Sequence, residues 1–283
     1  MTINLTTKLK EQMRDDIKAA LEVIMTYGAV GEGATTTAAA DTELELEFFR
    51  SAIAEFDDSV TDTVTASLRL SANEGNNNAA AEVGWYDTAS FSIDNCDTAD
   101  WTDDAEITTT LNTSEYKEND IALNLIKDTG SSATTATYKT TTSVNFTSKS
   151  LSVWLYIVDA AALAKLATSN CLIIRFGSDS SNYYQWAKDA ADLAVGWNLV
   201  KGLTSANADS TTGTPTLTAC DYTYISLVAT GTAIVWIAGD FIMDDIKLTS
   251  GNFWTHNLIN SKNKTDDIQL YLDTSIKITI TEA

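Results

Sequence analysis

The chain has 283 residues, and its 18 Lys+Arg against 39 Asp+Glu give a formal net charge of −21. With 44% hydrophobic and 20% charged residues, the composition is that of a folded protein rather than a disordered one. The negative charge argues against nucleic acid or an anionic membrane surface as partner, and no stretch reaches the ~18 apolar residues that insert across a bilayer.

Few residues of the sequence are suited to catalysis or to binding transition metals. His256 is its single histidine, which excludes most histidine-based catalysis and any multi-histidine metal site. Cys96, Cys171 and Cys220 are an odd set without C-x-x-C spacing, so neither a disulfide framework nor a zinc site is expected. The sequence contains no G-x-S-x-G, P-loop or H-E-x-x-H motif. We therefore expect that the protein is not an enzyme.

The N-terminal residues predict two helices. Apolar residues recur at helical spacing over 5–24, with charged residues between them, and a Gly/Thr/Ala-rich loop follows at 31–40. Residues 41–45 have the form of a capping box. They predict a short second helix with four residues on one face: Leu46, Phe49, Ile53 and Phe56.

Beyond residue 58 the patterns are typical of strands. Alternation of apolar and polar residues predicts strands at 64–70 and 81–87, with a turn at 73–78 between them. From 94 to 248, short apolar runs between Thr/Ser/Asn/Asp/Gly turns predict a sandwich or jelly roll, with a short helix at 159–167. The runs include 172–176, 222–228 and 233–237. Alternation at 268–272 and 276–280 predicts two final strands, for which 60–70 and 81–87 are the natural partners.

This order predicts a mainly β protein in which one domain is inserted into another. Residues 1–90 and 251–283 would form a small, discontinuous α+β base. Residues 91–250 would form the inserted β-sandwich (jelly roll), because a domain insertion is tolerated at an exposed loop tip.

The base carries a series of short motifs in chain order. They are Gly31-x-Gly33, Asp41-Thr42-Glu43-Leu44, Arg50-Ser51-Ala52, Asn73-Glu74-Gly75, Glu82-Val83-Gly84-Trp85-Tyr86-Asp87, Lys264-Thr265 and Ile276-Lys277-Ile278-Thr279-Ile280. Together they resemble an adaptor module of tailed-virus structural proteins, in which short helices and a small sheet pack against neighbouring copies. The resemblance implies a virion protein that forms a homo-oligomer, such as a trimer or pentamer, and contacts other capsid or tail proteins.

The inserted segment carries a second series. It contains Ser152-Val153-Trp154-Leu155-Tyr156-Ile157-Val158-Asp159, the strand pair at 174–186, Gly196-Trp197-Asn198, and the segments 221–225 and 242–248. This succession resembles a carbohydrate-binding-module-like jelly roll. The resemblance implies a fold more than a ligand, because jelly rolls serve many tasks.

One candidate site is an aromatic platform for a sugar ring on the predicted strand at 182–186. Tyr183, Tyr184 and Trp186 would stack on the ring, while Asn182 and Gln185 would bond its hydroxyls. The alternative is structural, because strand alternation sends Tyr184 and Trp186 to the face opposite Tyr183, with at least one side in the core.

A second candidate site lies at the predicted closing strand. The resemblance implies that Asp244 and Asp245 hold a structural Ca²⁺, and Asp103 or Asp104 could complete its oxygen shell. The alternative is a pair of solvated acids at a strand end.

Together these features predict a virion structural protein of a tailed virus. Its base would attach to the capsid or tail as a decoration, turret or fibre. Its jelly roll would serve assembly or attachment to host-surface glycans. Two alternatives remain open, a polysaccharide-degrading enzyme and a secreted sugar-binding protein.

Overall fold

The computed structural model describes residues 7–38, 41–59, 63–71, 74–75, 78–104, 106–128, 130–264 and 269–277. The predicted mainly β fold is confirmed. In chain order the elements are α1 (Thr7–Ile24), β1 (Tyr27–Gly31), β2 (Glu47–Ala52), β3 (Glu55–Asp57), β4 (Thr63–Leu70), β5 (Ala79–Tyr86), β6 (Phe91–Asp94), β7 (Thr102–Asp103), β8 (Thr108–Asn112), β9 (Ala122–Ile126), β10 (Thr134–Val144), β11 (Ser150–Ile157), α2 (Ala160–Leu163), β12 (Leu172–Asp179), β13 (Asn182–Lys188), a 3₁₀ turn (Ala190–Asp192), β14 (Gly196–Leu203), β15 (Ser210–Thr212), β16 (Cys220–Val228), β17 (Phe241–Thr249), β18 (Phe253–Asn263) and β19 (Leu270–Lys277).

The chain divides into two compact units. Unit 1 comprises Met1–Ser90 and Gly251–Ala283, and unit 2 comprises Phe91–Ser250. Each unit has its own sheets, since no strand pairing in the described residues joins one unit to the other.

Unit 1 contains two antiparallel sheets and the helix α1. Sheet A has the order β18-β5-β1-β2, and sheet B has the order β19-β4-β3. The alternation predicted for β4 is confirmed, because its apolar residues are fully buried. They are Val64, Ala66, Leu68 and Leu70. The two sheets approach closely at Gly28, where a Cβ atom would lie 2.7 Å from the Trp85 ring and 3.0 Å from Leu68.

The predicted first helix is confirmed over Thr7–Ile24, while Leu5 lies outside the described residues. Its apolar side chains at Met13, Ile17 and Leu21 are half-buried. In the part of the chain that the structure describes, no helix is both long and apolar enough to span a membrane.

The loop between β1 and β2 is held by one buried carboxylate. Glu82 of β5 is fully buried, and its Oε1 accepts hydrogen bonds from the backbone N–H groups of Gly33 (3.0 Å) and Leu46 (2.8 Å). Its Oε2 accepts from the N–H of Glu45 at 3.0 Å. Three backbone donors of the loop are thus satisfied by one side chain.

The predicted second helix is wrong. Residues 47–52 form β2, which pairs with β1, and residues 55–57 form β3, which pairs with β4. Phe48 and Phe49 are both buried, on opposite faces of β2. Strand pairing therefore overrides the local capping signal.

The sequence does not predict strand β1, because its YGAVG segment follows the helix directly and contains two glycines.

The C-terminal prediction is partly right. The predicted partner at 60–70 is confirmed, because β19 pairs with β4. The predicted partner at 81–87 is wrong, because β5 pairs instead with β18, a strand that the sequence does not predict. The two predicted C-terminal strands are instead one continuous strand, Leu270–Lys277, in which Asp273 pairs with Ser67. The Ser67 hydroxyl donates to Asp273 Oδ1 at 2.6 Å, so a sequence typical of a turn is held extended.

Some of the residues in these predictions lie outside the described residues. They are Ile268, Ile278 and Ile280 of the predicted C-terminal strands, and Asn73, Asn76 and Asn77 of the predicted turn.

Unit 2 is a sandwich of two antiparallel sheets. Sheet C has the order β14-β11-β17-β9-β8, with β6 also paired to β17, and sheet D has the order β15-β13-β12-β16-β10-β7. One hydrophobic core lies between them, with Leu155 and Met243 contributed by sheet C, and Ile174, Trp186 and Ile225 by sheet D. Both sheets bury alternate residues of their strands in this core, as expected of a β-sandwich.

Most of the unit 2 elements match the prediction. The short helix is confirmed as α2, whose N-cap Asp159 accepts a hydrogen bond from the Ala162 N–H at 2.7 Å. The predicted strand at 233–237 is wrong, because only Trp236 pairs there, in an isolated bridge with Lys127. The sequence does not predict β10, because its Thr-rich stretch has the composition of the turns between the predicted strands.

We predict that Glu82→Gln lowers the unfolding free energy of the chain by about 2 kcal/mol, because the amide brings a donor against backbone N–H groups that the carboxylate accepted. Glu55→Gln, at an exposed position of β3, is the matched control and should change it little. Urea denaturation of both variants and the wild type measures the difference. Equal stability of all three would show that Glu82 does not hold the loop.

Candidate functional site

The outer face of sheet D collects aromatic side chains. Along β12, Ile174 and Phe176 point into the core, so Arg175 and Gly177 face away from it. Along β16, Ile225 points into the core, so Tyr222 and Tyr224 also face outward. Strand alternation therefore makes a core face and an aromatic face from the same strands.

Strand register places the outward residues in two rows. The first row runs across five strands in the order Thr212, Tyr183, Gly177, Tyr222 and Thr140. The second runs in the order Ser210, Gln185, Arg175, Tyr224, Tyr138 and Thr102. We call the set Tyr138, Tyr183, Tyr222 and Tyr224, with Arg175 and Gln185, the tyrosine face.

The rings of the tyrosine face contact one another. The Tyr222 ring centroid lies 5.9 Å from that of Tyr138 and 6.5 Å from that of Tyr183, each with an interplanar angle of 40°. Burial raises the pKa of Tyr222 to about 12. The Tyr222 ring is 7% exposed, so it supports the neighbouring rings more than it offers a surface of its own.

Arg175 is the cation at the centre of this face. Its guanidinium carbon lies 4.7 Å from the Tyr183 ring centroid and 4.3 Å from the Tyr224 ring centroid. Its Nε donates to Gln185 Oε1 at 2.8 Å. Two rings and one amide thus fix the orientation of the guanidinium, whose donors are arranged as a planar fork.

Gly177 forms the floor between Tyr183 and Tyr222. A Cβ atom there would lie 2.2 Å from the Asn182 carbonyl oxygen and 2.5 Å from the Tyr183 Cα. Strand β13 could not approach β12 so closely beside a larger residue. The glycine therefore sets the position of the Tyr183 ring.

The structure separates the five residues predicted to form the sugar platform. Tyr183 and Gln185 lie on the tyrosine face. Asn182 lies at the adjoining turn, where its Nδ2 donates to both carboxylate oxygens of Asp179 (3.0 and 2.9 Å). Tyr184 packs against the core, and Trp186 is buried in it, with Nε1 donating to Asn207 Oδ1 at 3.0 Å. These placements match the alternation argument, in which Tyr184 and Trp186 point away from Tyr183.

Sequence reasoning did not single out four members of the tyrosine face. Arg175, Tyr222 and Tyr224 lie in predicted strands, and the Tyr-x-Tyr spacing of the last two already places both rings on one face. Tyr138 lies in β10, which was not predicted. The strand register brings these four residues together. The spacing of the residues along the chain does not predict that register.

The structure does not assemble the predicted calcium ligands. Asp103 is exposed and its Oδ2 accepts the Thr109 N–H at 2.9 Å, in β7 of sheet D, whereas Asp244 and Asp245 are buried in β17 of sheet C. Asp104 is also exposed and follows β7. Among the described residues, no group of three or more His, Cys, Asp or Glu side chains is arranged to hold a metal ion.

The carboxylate of Asp244 is already occupied by backbone donors. Its Oδ2 accepts the N–H groups of Lys117 (2.6 Å) and Glu118 (3.0 Å), and its Oδ1 accepts the N–H of Asp245 (2.7 Å). Burial raises the pKa of Asp244 to about 7, against the lowering effect of these hydrogen bonds. Asp244 is thus a structural group that holds the loop between β8 and β9, and the set predicted to bind Ca²⁺ does not fit the ion.

Comparisons with known proteins give structural neighbours but no sequence relative. No family model matches the chain, and no curated protein matches it. A family 11 carbohydrate-binding module from Clostridium thermocellum, solved with a β-1,3-1,4-mixed-linked tetrasaccharide, is 12% identical over 58% of this chain and 99% of its own, with a TM-score of 0.41. The family 11 module of the cellulase Lic26A-Cel5E of the same organism is 11% identical over 58% and 95%, also with a TM-score of 0.41.

A third neighbour is a xylan-binding domain of family 22, which is 15% identical over 55% of this chain and 92% of its own, with a TM-score of 0.30. Because all three TM-scores lie below 0.5, we draw no conclusion about the ligand from this likeness.

We predict that Gly177→Ala lowers the unfolding free energy by about 2 kcal/mol, because the added methyl group forces β13 away from β12. Gly231→Ala is the control, since a Cβ atom there meets nothing within 4 Å. Thermal unfolding followed by circular dichroism compares them. A Gly177 variant as stable as the control would contradict the close approach of the two strands.

Proposed function

We propose that the chain is a glycan-binding protein whose ligand lies on the tyrosine face of unit 2. The observation that carries this proposal is the convergence of four tyrosines and one oriented arginine on a single outward sheet face. Sugar rings present C–H groups that stack on aromatic rings, and hydroxyls that bond planar donors and acceptors. The tyrosine face offers both kinds of contact.

The tyrosine face is preorganised for such a ligand. Tyr222 is held between two other rings, and Arg175 is held by Tyr183, Tyr224 and Gln185. Little side-chain entropy would be lost on binding, because these groups are already ordered by one another. Tyrosine and arginine are also the residue types that most often dominate binding energy at protein surfaces.

The dimensions of the face favour an oligosaccharide segment over a single sugar. Tyr183 on β13 and Tyr138 on β10 are three strand spacings apart, which corresponds to about 14 Å. That span is longer than one sugar ring. The ligand would therefore lie across the strands, along the two rows.

The charge around the face favours a neutral glycan. The chain carries a net charge of −21, and Asp221 directly precedes Tyr222. Burial, together with the charge of Asp179 at the end of β12, raises the pKa of Asp221. A polyanionic glycan would be repelled by these charges more than a neutral one.

The viral role predicted from the base motifs stays a prediction. A virion protein that attaches to a host surface would need a glycan-binding unit. A sugar-binding protein that is not part of a virion would need one equally. The proposal is for binding without hydrolysis.

We predict that Tyr183→Ala and Tyr224→Ala each weaken binding of the preferred glycan at least about tenfold, because each removes a partly exposed stacking surface. Tyr156→Ala is the matched control, as this tyrosine lies on β11 of sheet C, beside Trp197. Affinity electrophoresis against neutral β-glucan, xylan and mannan, with alginate as the anionic comparison, identifies the glycan. Isothermal titration calorimetry then measures the variants.

Two results would contradict the proposal. One is equal affinity of the tyrosine-face variants, the control and the wild type. The other is release of reducing sugars from the bound glycan by the wild-type protein, which would favour a polysaccharide-degrading enzyme.

A further inference from the structure

Strand β17 contains an irregularity at the residues predicted to bind Ca²⁺. Its register with β11 shifts between the pairs Ser152–Lys247 and Trp154–Asp244, and Asp245 lies in that shift with a φ of 43°. A non-glycine residue in this left-handed region inside a strand is uncommon, although Asp tolerates it better than most. The bulge redirects the Asp245 side chain, which is 2% exposed.

A lysine, rather than a shell of oxygens, meets the redirected carboxylate. Lys247 Nζ lies 2.6 Å from Asp245 Oδ2 and 3.3 Å from Glu118 Oε2. All three side chains are largely removed from solvent, with Asp245 and Lys247 exposed by 2% and 11% and Glu118 by 28%. One ammonium group therefore bridges two carboxylates from separate segments.

Glu118 belongs to the loop between β8 and β9, the same loop whose N–H groups bind Asp244. The ammonium bridge and the Asp244 hydrogen bonds thus fix this loop to β17 from two adjacent residues. The charged side chain of Lys117, on the same loop, lies over the Trp154 ring at 4.9 Å. Asp94 of β6 is engaged separately, by Lys139 of β10 and by the Cys96 N–H.

We propose that the Lys247 ammonium takes the place of a metal ion in unit 2, so that an internal cation joins β17 to the β8–β9 loop. Two buried carboxyl groups facing each other either share a proton or take up a counter-charge, which a lysine or a divalent cation can supply. Here the lysine supplies it from within the same strand. Ca²⁺ is therefore not needed at this cluster, while removal of Lys247 leaves a pair of oxygen ligands of the kind that Ca²⁺ prefers.

The test uses thermal unfolding of the full chain in excess EDTA and in excess CaCl₂. The wild type should unfold at the same temperature in both, since a ligand that does not bind the native state cannot stabilise it. Lys247→Met should unfold at a lower temperature in EDTA, and CaCl₂ should restore part of the loss. Lys165→Met is the control, because Lys165 pairs with Asp240 (2.6 Å) at a more exposed position, and its variant should not respond to Ca²⁺.

A double variant separates loss of folding from loss of the counter-charge. Asp245→Asn combined with Lys247→Met removes one charge of each sign, so it should unfold at a higher temperature than Lys247→Met in EDTA and should not respond to Ca²⁺. The proposal is overturned if EDTA lowers the unfolding temperature of the wild type, or if Lys247→Met is as stable as the wild type. A double variant no more stable than Lys247→Met would also overturn it. If Lys247→Met does not fold, the proposal is tested by the unfolding temperatures of the wild type and of the double variant in EDTA and in CaCl₂.

Discussion

The alternation of side chains along β12 and β16 is the constraint on which the rest of unit 2 depends. On one side of these strands, Ile174, Phe176 and Ile225 form the core between the sheets. On the other side, Arg175, Tyr222 and Tyr224 form the centre of the tyrosine face. A shift of one residue in either register would exchange the two sets, so the packing of the core also fixes the candidate site.

Both units use a buried acidic group to hold an irregular segment. In unit 1, Glu82 accepts three backbone N–H groups from the loop that connects β1 and β2. In unit 2, Asp244 does the same for the loop between β8 and β9. Loops of this kind carry backbone donors that no strand satisfies, and a carboxylate can accept several at once. Part of the acidic excess of the chain is therefore structural rather than superficial.

The sequence predicted those features that depend on local periodicity. The alternation in β4, the helical spacing in α1 and the capped helix α2 could all be inferred from neighbouring residues. Features that depend on pairing between distant segments could not. Strand β2 has a helix-like start but pairs with β1, and β10 is rich in Thr, a residue common both to turns and to strands. Tyr183 and Gln185 were identified from one strand, whereas Tyr138, Tyr222 and Tyr224 join them only through the register of three others.

The central claim is that a neutral glycan binds on the tyrosine face. The most direct measurement is a crystal structure of the full chain with an oligosaccharide of the polysaccharide that it retains. We expect sugar rings stacked on Tyr183 and Tyr224, with hydroxyls within hydrogen-bond distance of Arg175 or Gln185. An oligosaccharide bound elsewhere on the chain, with these side chains free of it, would contradict the account.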